Sequence, residues 1–314
     1  MNKSSAKLLP IGTILLSSRA TVGECSINKK ECTTNQGFQS LIPKENISNE
    51  FIYYLIQTKR KDLIRKSCGS TFLEISANEV RKIVVSIPTI KEQDKIAKLL
   101  SLLDERIATQ NKIIEDLKKL KSAIIEKLYS EIQGKEYSYR QLFDVVNERN
   151  KQMEYSNILS ASQEKGMINR DDLNLDIQFE RSNINTYKIV RAGDYVIHLR
   201  SFQGGFAFSD KSGVCSPAYT ILRPNSFLEY SYLSNYFTSQ RFIKSLIIVT
   251  YGIRDGRSIN VDEWLSMKIT IPSKEHQQYI VKIIGSFDRK IESEEAYTIL
   301  LSKQKQYILC KMFI

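Results

Sequence analysis

An alternation of four- and three-residue steps between apolar side chains constrains this chain more than any other feature. Between Pro88 and Gln133 the apolar positions are Ile96, Leu100, Leu103, Ile107, Ile114, Leu117, Ile124 and Leu128, with Gln110 and Lys121 at the two remaining seam positions. A mean step of 3.5 residues marks a helix that supercoils with another helix, not one that lies on a sheet. Thr89 with Glu92 reads as a capping box behind Pro88, and Gly134 stands where a left-handed residue would end the helix. About 44 residues at 1.5 Å each make a rod roughly 66 Å long. A rod with a one-sided seam needs a partner helix.

The partner is in the same chain. Ile280, Ile284, Phe287, Ile291, Thr298, Leu301, Ile308 and Met312 repeat the seam at an offset of about 184 residues, and Glu294 and Lys305 repeat its polar interruptions. Pro88 matches Pro272, Gln93 matches Gln277 and Asp104 matches Asp288. The second copy has His276 in place of Glu92, and Gly285 falls inside its helix, a weakness of about 1 kcal/mol against Ala. Two unrelated surface helices of the same period would not share these identities.

The repeat extends forward. "KIVRAGDYVIHLRSFQGG" from Lys188 aligns with "KLLPIGTILLSSRATVG" from Lys7, placing Gly193 on Gly12, Arg200 on Arg19 and Gly204 on Gly23. Pro224 falls on Pro43, Ile259 on Ile75 and Glu263 on Glu79. In residues 1 to 87 the sequence predicts strands in "GTILLSS" and "GFQSLIP", and a helix in "NEFIYYLIQTKRKDLIRK" with Phe51, Leu55 and Leu63 inward. A polar loop in "CGSTFLEIS" and a strand in "KIVVSIP" complete it. In residues 135 to 271 it predicts a short helix in "YRQLFDVVNERN", then a strand and a polar loop in "YSNILSASQEKGMINRDDL". Each segment is expected to form a small α/β domain. Nothing in the first copy answers to residues 136 to about 180, so roughly 50 residues are expected to be absent in front of Met1. The first domain should then expose a sheet edge and be the less stable one.

With 46 Lys and Arg against 35 Asp and Glu, the formal charge is +11, which favours a polyanion: nucleic acid first, anionic membrane second. No signal peptide and no bilayer-spanning apolar run supports the membrane. Cys25, Cys32, Cys68, Cys215 and Cys310 are scattered, and His198 and His276 are the only histidines. They form no zinc-ligand pattern and fit a reducing cytoplasm. The chain has no phosphate-binding G-x-x-x-x-G-K-[ST], no G-x-G-x-x-G and no G-x-S-x-G. His198 corresponds to Ser17, and Asp255 and Asp262 lack the clustered carboxylates of a metal-dependent nuclease.

The domain loops carry planar and polar donors instead: Gln163, Lys165 and Arg170; Arg200, Ser201 and Gln203; Tyr251, Arg254 and Arg257; and, in the first copy, Arg19, Ser70 and Thr71. Arg reads guanine, Asn and Gln read adenine, and Lys and Ser hold phosphate. Taken one loop at a time, these are also ordinary polar turns around glycine. Two such domains on a rigid spacer in a basic chain favour the reading as DNA-binding loops.

The repeated "IPTIKEQDKIAKLLSLLDERI" and "IPSKEHQQYIVKIIGSFDRKI", each continuing into a long Lys-rich helix, resemble the specificity (S) subunit of type I restriction–modification systems over nearly the whole chain. The resemblance implies an α+β chain with two small α/β target-recognition domains, 1–88 and 135–271. They are separated by two long spacer helices, 89–134 and 272–314, forming an antiparallel coiled coil. Each domain would read half of a bipartite site in double-stranded DNA. The helices would dock methyltransferase (modification) subunits, and restriction subunits would join them. It implies a cytoplasmic chain with neither catalysis, metal nor cofactor of its own, methyl donor and ATP binding on the partner subunits. The chain departs from the pattern at the front, where the counterpart of Gln163–Arg170 is missing. The expectation is an N-terminally truncated or recombined first domain, a mis-called start, or a half-subunit that forms a homodimer. The alternative is a coiled-coil interaction protein that binds methyltransferase subunits without full DNA readout.

Overall fold

The structure is a computed structural model, described for residues 7–69, 73–162, 165–173, 181–198, 205–251 and 258–313. The chain divides into two compact units, Met1–Glu115 with Glu292–Ile314, and Asp116–Ile291.

The first unit is built on β1 (Ile14–Ser17), paired antiparallel with β2 (Cys25–Ile27) on one side and β3 (Phe38–Leu41) on the other. The apolar alternation of Ile14 and Leu16 puts both side chains in a core with Val22, Ile56, Leu63 and Ile75. The predicted helix breaks at Lys59 into α1 (Asn49–Thr58) and α2 (Arg60–Arg65), with Phe51, Leu55 and Leu63 buried as expected. Ser48 caps α1 by accepting the Phe51 N–H. After α3 (Ala77–Arg81) the predicted strand in "KIVVSIP" does not form: residues 83–89 have no ladder partner among the described residues, and Val84 is 90% exposed.

Helix α4 (Ile90–Ser130) starts where predicted, the Glu92 carboxylate accepting from the Thr89 N–H at 3.2 Å and hydroxyl at 2.9 Å. Buried Gln93 donates to the Pro88 carbonyl at 2.9 Å and accepts from the Ser48 N–H at 2.9 Å, locking the helix start to the α1 cap. Within this unit Ile96, Leu100, Leu103, Ile107 and Ile114 are buried or half-buried, as are Thr298, Leu301 and Ile308. Asp104 pairs with Lys305 at 2.6 Å, Arg106 donates to the Tyr297 hydroxyl, and Gln110 donates to the Glu294 carboxylate. As one number rises the other falls, so the two helix segments run in opposite directions. Met312, expected in the seam, is instead 40% exposed: at the helix end the neighbouring Phe313 turns inward, its ring 5.0 Å from that of Phe51.

The second unit opens with β4 (Lys135–Ser138), one helical turn α5 (Tyr139–Leu142) and β5 (Phe143–Val146). The predicted helix in "YRQLFDVVNERN" is thus cut to the single turn Tyr139–Leu142, because Phe143–Val146 finds a ladder partner that local propensity does not reveal. Strands β6 (Leu159–Ser162) and β7 (Gly166–Asn169) form a hairpin where a strand and a loop were predicted. Next come β8 (Lys188–Val190), β9 (Tyr195–Ile197), β10 (Phe206–Phe208), β11 (Gly213–Cys215) and β12 (Thr220–Pro224). The main sheet has the order β10-β9-β12-β5, and β11 pairs with β8. After α6 (Gln240–Ser245) follow the β13 (Thr250–Tyr251) and β14 (Ser258–Ile259) pair, α7 (Val261–Ser266), and β15 (Lys268–Ile271), which pairs with β4.

Its core is aromatic. Trp264 is fully buried and stacks on Tyr139 at 4.3 Å, with Phe206 4.9 Å away. Helix α8 (Lys274–Met312) adds Ile280 and Ile284 to this core, and α4 adds Ile125 and Tyr129. Leu117, Ile124, Leu128, Phe287 and Ile291 are buried or half-buried, and Lys121 pairs with Asp288 at 2.5 Å. Gln277 repeats the role of Gln93, donating to Pro272 and Phe227 carbonyls and accepting from the Glu229 N–H. Gly134 is not a left-handed helix stop: α4 ends at Ser130, and Gly134 is absent from the positive-φ glycines. A Cβ there would lie 2.2 Å from the Ile271 carbonyl oxygen, so the close crossing of β4 over the end of β15 demands glycine.

Candidate nucleic-acid interface

In the second unit, β9 and β10 pair from Ile197↔Phe206 to Tyr195↔Phe208, and the His198 N–H donates to the Gly205 carbonyl at 2.8 Å. The segment joining them carries Arg200, Ser201 and Gln203, which lie outside the described residues. Beside β10 stands the β6–β7 hairpin. Gly166 has φ +68°, and a Cβ there would meet the Phe208 carbonyl at 2.4 Å, so β7 approaches β10 as closely as backbone allows. That approach brings Lys165 to β10. Gln163 lies outside the described residues.

Lys165 is exposed and opens on a cavity of about 660 Å³ lined also by Phe206, Phe208, Asp210 and Gln240. Arg170 is half-buried and close enough to Tyr219 to act on its phenol, whose pKa burial raises. The His198 ring is 6.1 Å from the same Tyr219 ring. Tyr251 pairs with Ser258 at the end of the β13–β14 pair; Arg254 and Arg257, between them, lie outside the described residues. That pair rises from the aromatic core through Val249 and Ile259.

Below the β9 turn lies a cluster that sequence patterns did not reveal. Asp194 is buried, accepts from the Arg191 N–H at 2.8 Å, and takes two bonds of 3.0 Å from the Arg223 guanidinium. Glu148 bonds Arg223 and Arg191 at 3.4 and 3.1 Å. Hydrogen bonding to Asp194, more than any other influence, holds the Arg223 pKa above its usual value. A lone Asp between apolar residues carries no periodic signal, though "GD" after a strand is a turn cue.

In the first unit, Arg19 follows β1, and its Nε is 2.9 Å from the Glu74 carboxylate, with both side chains a little under half exposed. Part of its donor capacity is therefore already used. Ser70 and Thr71 lie outside the described residues. Among the described residues no group of His, Cys, Asp and Glu can hold a metal ion, and no helix is long and apolar enough to cross a membrane. Burial pushes the Cys25 thiol up to about 11 and Cys215 to about 12, the opposite of an activated nucleophile.

The chain matches the family described as the type I restriction modification DNA specificity domain over residues 1–119 and 134–301, and it belongs to that family. It is 40% identical over 122 residues to the type I restriction enzyme MjaIX specificity subunit of Methanocaldococcus jannaschii, covering 38% of this chain and 28% of that protein. The MjaVIII specificity subunit of the same organism is 24% identical over 336 residues, covering 94% of this chain and 76% of that one. The match to MjaIX thus spans little more than a quarter of that relative's length. The fold resembles the crystal structure of a type I restriction–modification S subunit from M. genitalium, with a TM-score of 0.55 and 16% identity over 98% of this chain and 84% of that one. At that identity the likeness is one of fold.

Proposed function

We propose that the chain is the DNA-reading component of a type I restriction–modification assembly and performs no chemistry itself. The observation that carries the reading is a β-hairpin built alike in both units. Gly12 and Gly193 have φ of +86° and +99°. Their N–H groups donate to Asn28 and Ser209 carbonyls; the Ser17 and His198 N–H groups donate to Glu24 and Gly205 carbonyls. Each pair is separated by about 181 positions, the spacing of an internal repeat, and each hairpin carries an arginine, Arg19 or Arg200, in a chain of net charge +11.

The units are then two target-recognition domains, 1–88 and 135–271, on duplex DNA. Helices 89–134 and 272–314 form an antiparallel coiled-coil spacer. The matched pairs Asp104–Lys305 and Lys121–Asp288, around Gln110–Glu294, support that register. Methyltransferase and restriction subunits are its partners in the cytoplasm, and methyl donor and ATP bind to them. The reading Arg, Gln and Ser side chains are Arg200, Ser201, Gln203, Arg254, Arg257 and Gln163, with Tyr251, Lys165 and Arg170 beside them and Arg19, Ser70 and Thr71 in the first domain.

If Arg254 or Arg257 holds guanine in bidentate fashion, its replacement by Ala costs about 1–3 kcal/mol and relaxes preference at one base pair. A phosphate contact would weaken all sequences alike and reduce the salt slope. Arg19→Ala should have a smaller effect, because Glu74 competes for its guanidinium. Duplex binding by fluorescence anisotropy at several salt concentrations checks this. Unchanged binding of the Arg200, Arg254 and Arg257 triple Ala variant to every DNA would sink the assignment.

A further inference from the structure

An Asp–Lys pair between the long helix segments occurs once in each unit, and in the first unit it holds a tyrosine. There the Asp104 carboxylate takes Lys305 at 2.6 Å on one oxygen and the Tyr54 hydroxyl at 2.8 Å on the other. The Lys305 ammonium lies 5.5 Å from the centre of the Tyr54 ring, and Tyr54 is buried. Burial, with Asp104 beside it, holds the phenol pKa above its usual value, so the hydroxyl stays a hydrogen-bond donor.

In the second unit the same pair is Lys121 and Asp288, 2.5 Å apart. Lys121 takes one Asp288 oxygen, and among the described residues no group donates to the other. Two contacts show what stands in the place of Tyr54. Gln277 accepts from the Glu229 N–H as Gln93 does from that of Ser48, and Tyr232 meets Tyr129 as Phe51 meets Phe313, at 5.6 and 5.0 Å. Glu229 and Tyr232 thus answer to Ser48 and Phe51, which sets Asn235 on Tyr54 and Ser234 on Tyr53. Both rings are missing, and the space they would fill belongs to the cavity of about 660 Å³, whose wall includes Lys121, Asp288, Ser234 and Asn235. Phe206, the larger counterpart of Cys25, does not refill it: the core holds that ring 4.9 Å from Phe237, Phe242 and Trp264.

We propose that this cavity receives a tyrosine side chain of a polypeptide bound to the second unit, its hydroxyl donating to Asp288 and its ring lying beside Lys121. The inference rests on the repeat proposed above to relate the two units. The first unit names the occupant, because there the same pair holds a phenol by both its hydroxyl and its π-face. A residue within a polypeptide fits better than a free phenol. The exposed Thr238 and Gln240 border the cavity and can bond the backbone amides on either side of the ring. A buried aromatic with one polar tip is the usual anchor of such a contact.

The test is saturation-transfer NMR on the full chain, with N-acetyl-tyrosinamide, N-acetyl-phenylalaninamide, p-cresol and deoxyadenosine as probes. The tyrosine amide should bind about tenfold more tightly than the phenylalanine amide, which lacks the hydroxyl. It should also bind at least as tightly as p-cresol. Asn235→Tyr should abolish binding by supplying the ring from within the chain. Asp288→Ala leaves the cavity open and removes the acceptor, so the preference for tyrosine over phenylalanine should vanish; that ratio is read within one protein. No binding of the tyrosine amide to the parent chain, equal binding of the phenylalanine amide, or undiminished binding to Asn235→Tyr would each overturn the inference. Tighter binding of p-cresol would make this a site for free phenols, and tighter binding of deoxyadenosine a site for a base; either result overturns the polypeptide reading. Duplex binding is measured separately, so failure here leaves the DNA-reading proposal standing.

Discussion

Asp194→Ala should destabilise the Asp116–Ile291 unit by about 3 kcal/mol, near the lower end for breaking a buried ion pair. The Asp194 side chain is 3% exposed and accepts three bonds, two from Arg223 and one from the Arg191 N–H. Removing it leaves Arg223, itself only 29% exposed, with the longer Glu148 contact alone. That residual contact and partial solvation keep the cost from the top of the range. The Arg191 N–H also loses its acceptor, which loosens the turn ahead of β9. Asp194→Asn should cost less, since an amide oxygen still accepts while the charge is gone. Urea unfolding followed by exchange at β9 and β12 reads both variants. Equal stability of Asp194→Ala and the parent chain would show the cluster to be incidental.

Trp264→Ala should cost about 3–5 kcal/mol, the range for emptying a large aromatic from a packed core. Its ring is fully buried, stacked on Tyr139 and within about 6 Å of Phe143, Phe206 and Phe237. Its indole N–H has no hydrogen-bond partner among the described residues. Trp264→Phe gives up no such bond and should be markedly milder. Because the stack fastens α5, the Ala variant should first lose exchange protection at β4 and β5, while β9 and β10 stay protected. Uniform loss across the unit would instead mean that the stack has no special hold on that segment.

The helices were legible because a seam repeats a single chemical rule at fixed spacing. Every apolar position predicted in α4 is buried or half-buried, and only Met312 fails in α8, where the chain end lets Phe313 take its place. The domains were less legible because strand pairing is decided at a distance. "FDVV" became β5 through its ladder to β12, whereas "KIVVSIP", with as strong a β-branched run, formed no strand without a partner. β10 and β11 are three residues each, too short for any period. Gly134 was recognisable as a required glycine, but the requirement is a close backbone crossing, not a left-handed turn. The candidate side chains are mostly donors in the segments that follow β1, β6, β9 and β13, and most of them lie outside the described residues. The sequence did not show that Glu74 takes part of Arg19, nor that Gly166 lets β7 close on β10.

Selection from a random duplex pool, with this chain bound to the methyltransferase subunits proposed as its partners, tests the central claim most directly. The account predicts one sharply specified half-site, which Arg254→Ala or Arg257→Ala relaxes at a single base pair. It predicts weak specification on the side of residues 1–87, where β3 has no strand on its outer side among the described residues and Arg19 is paired with Glu74. A pool with no enriched sequence would contradict DNA readout by this chain, and two equally sharp half-sites would contradict the asymmetry.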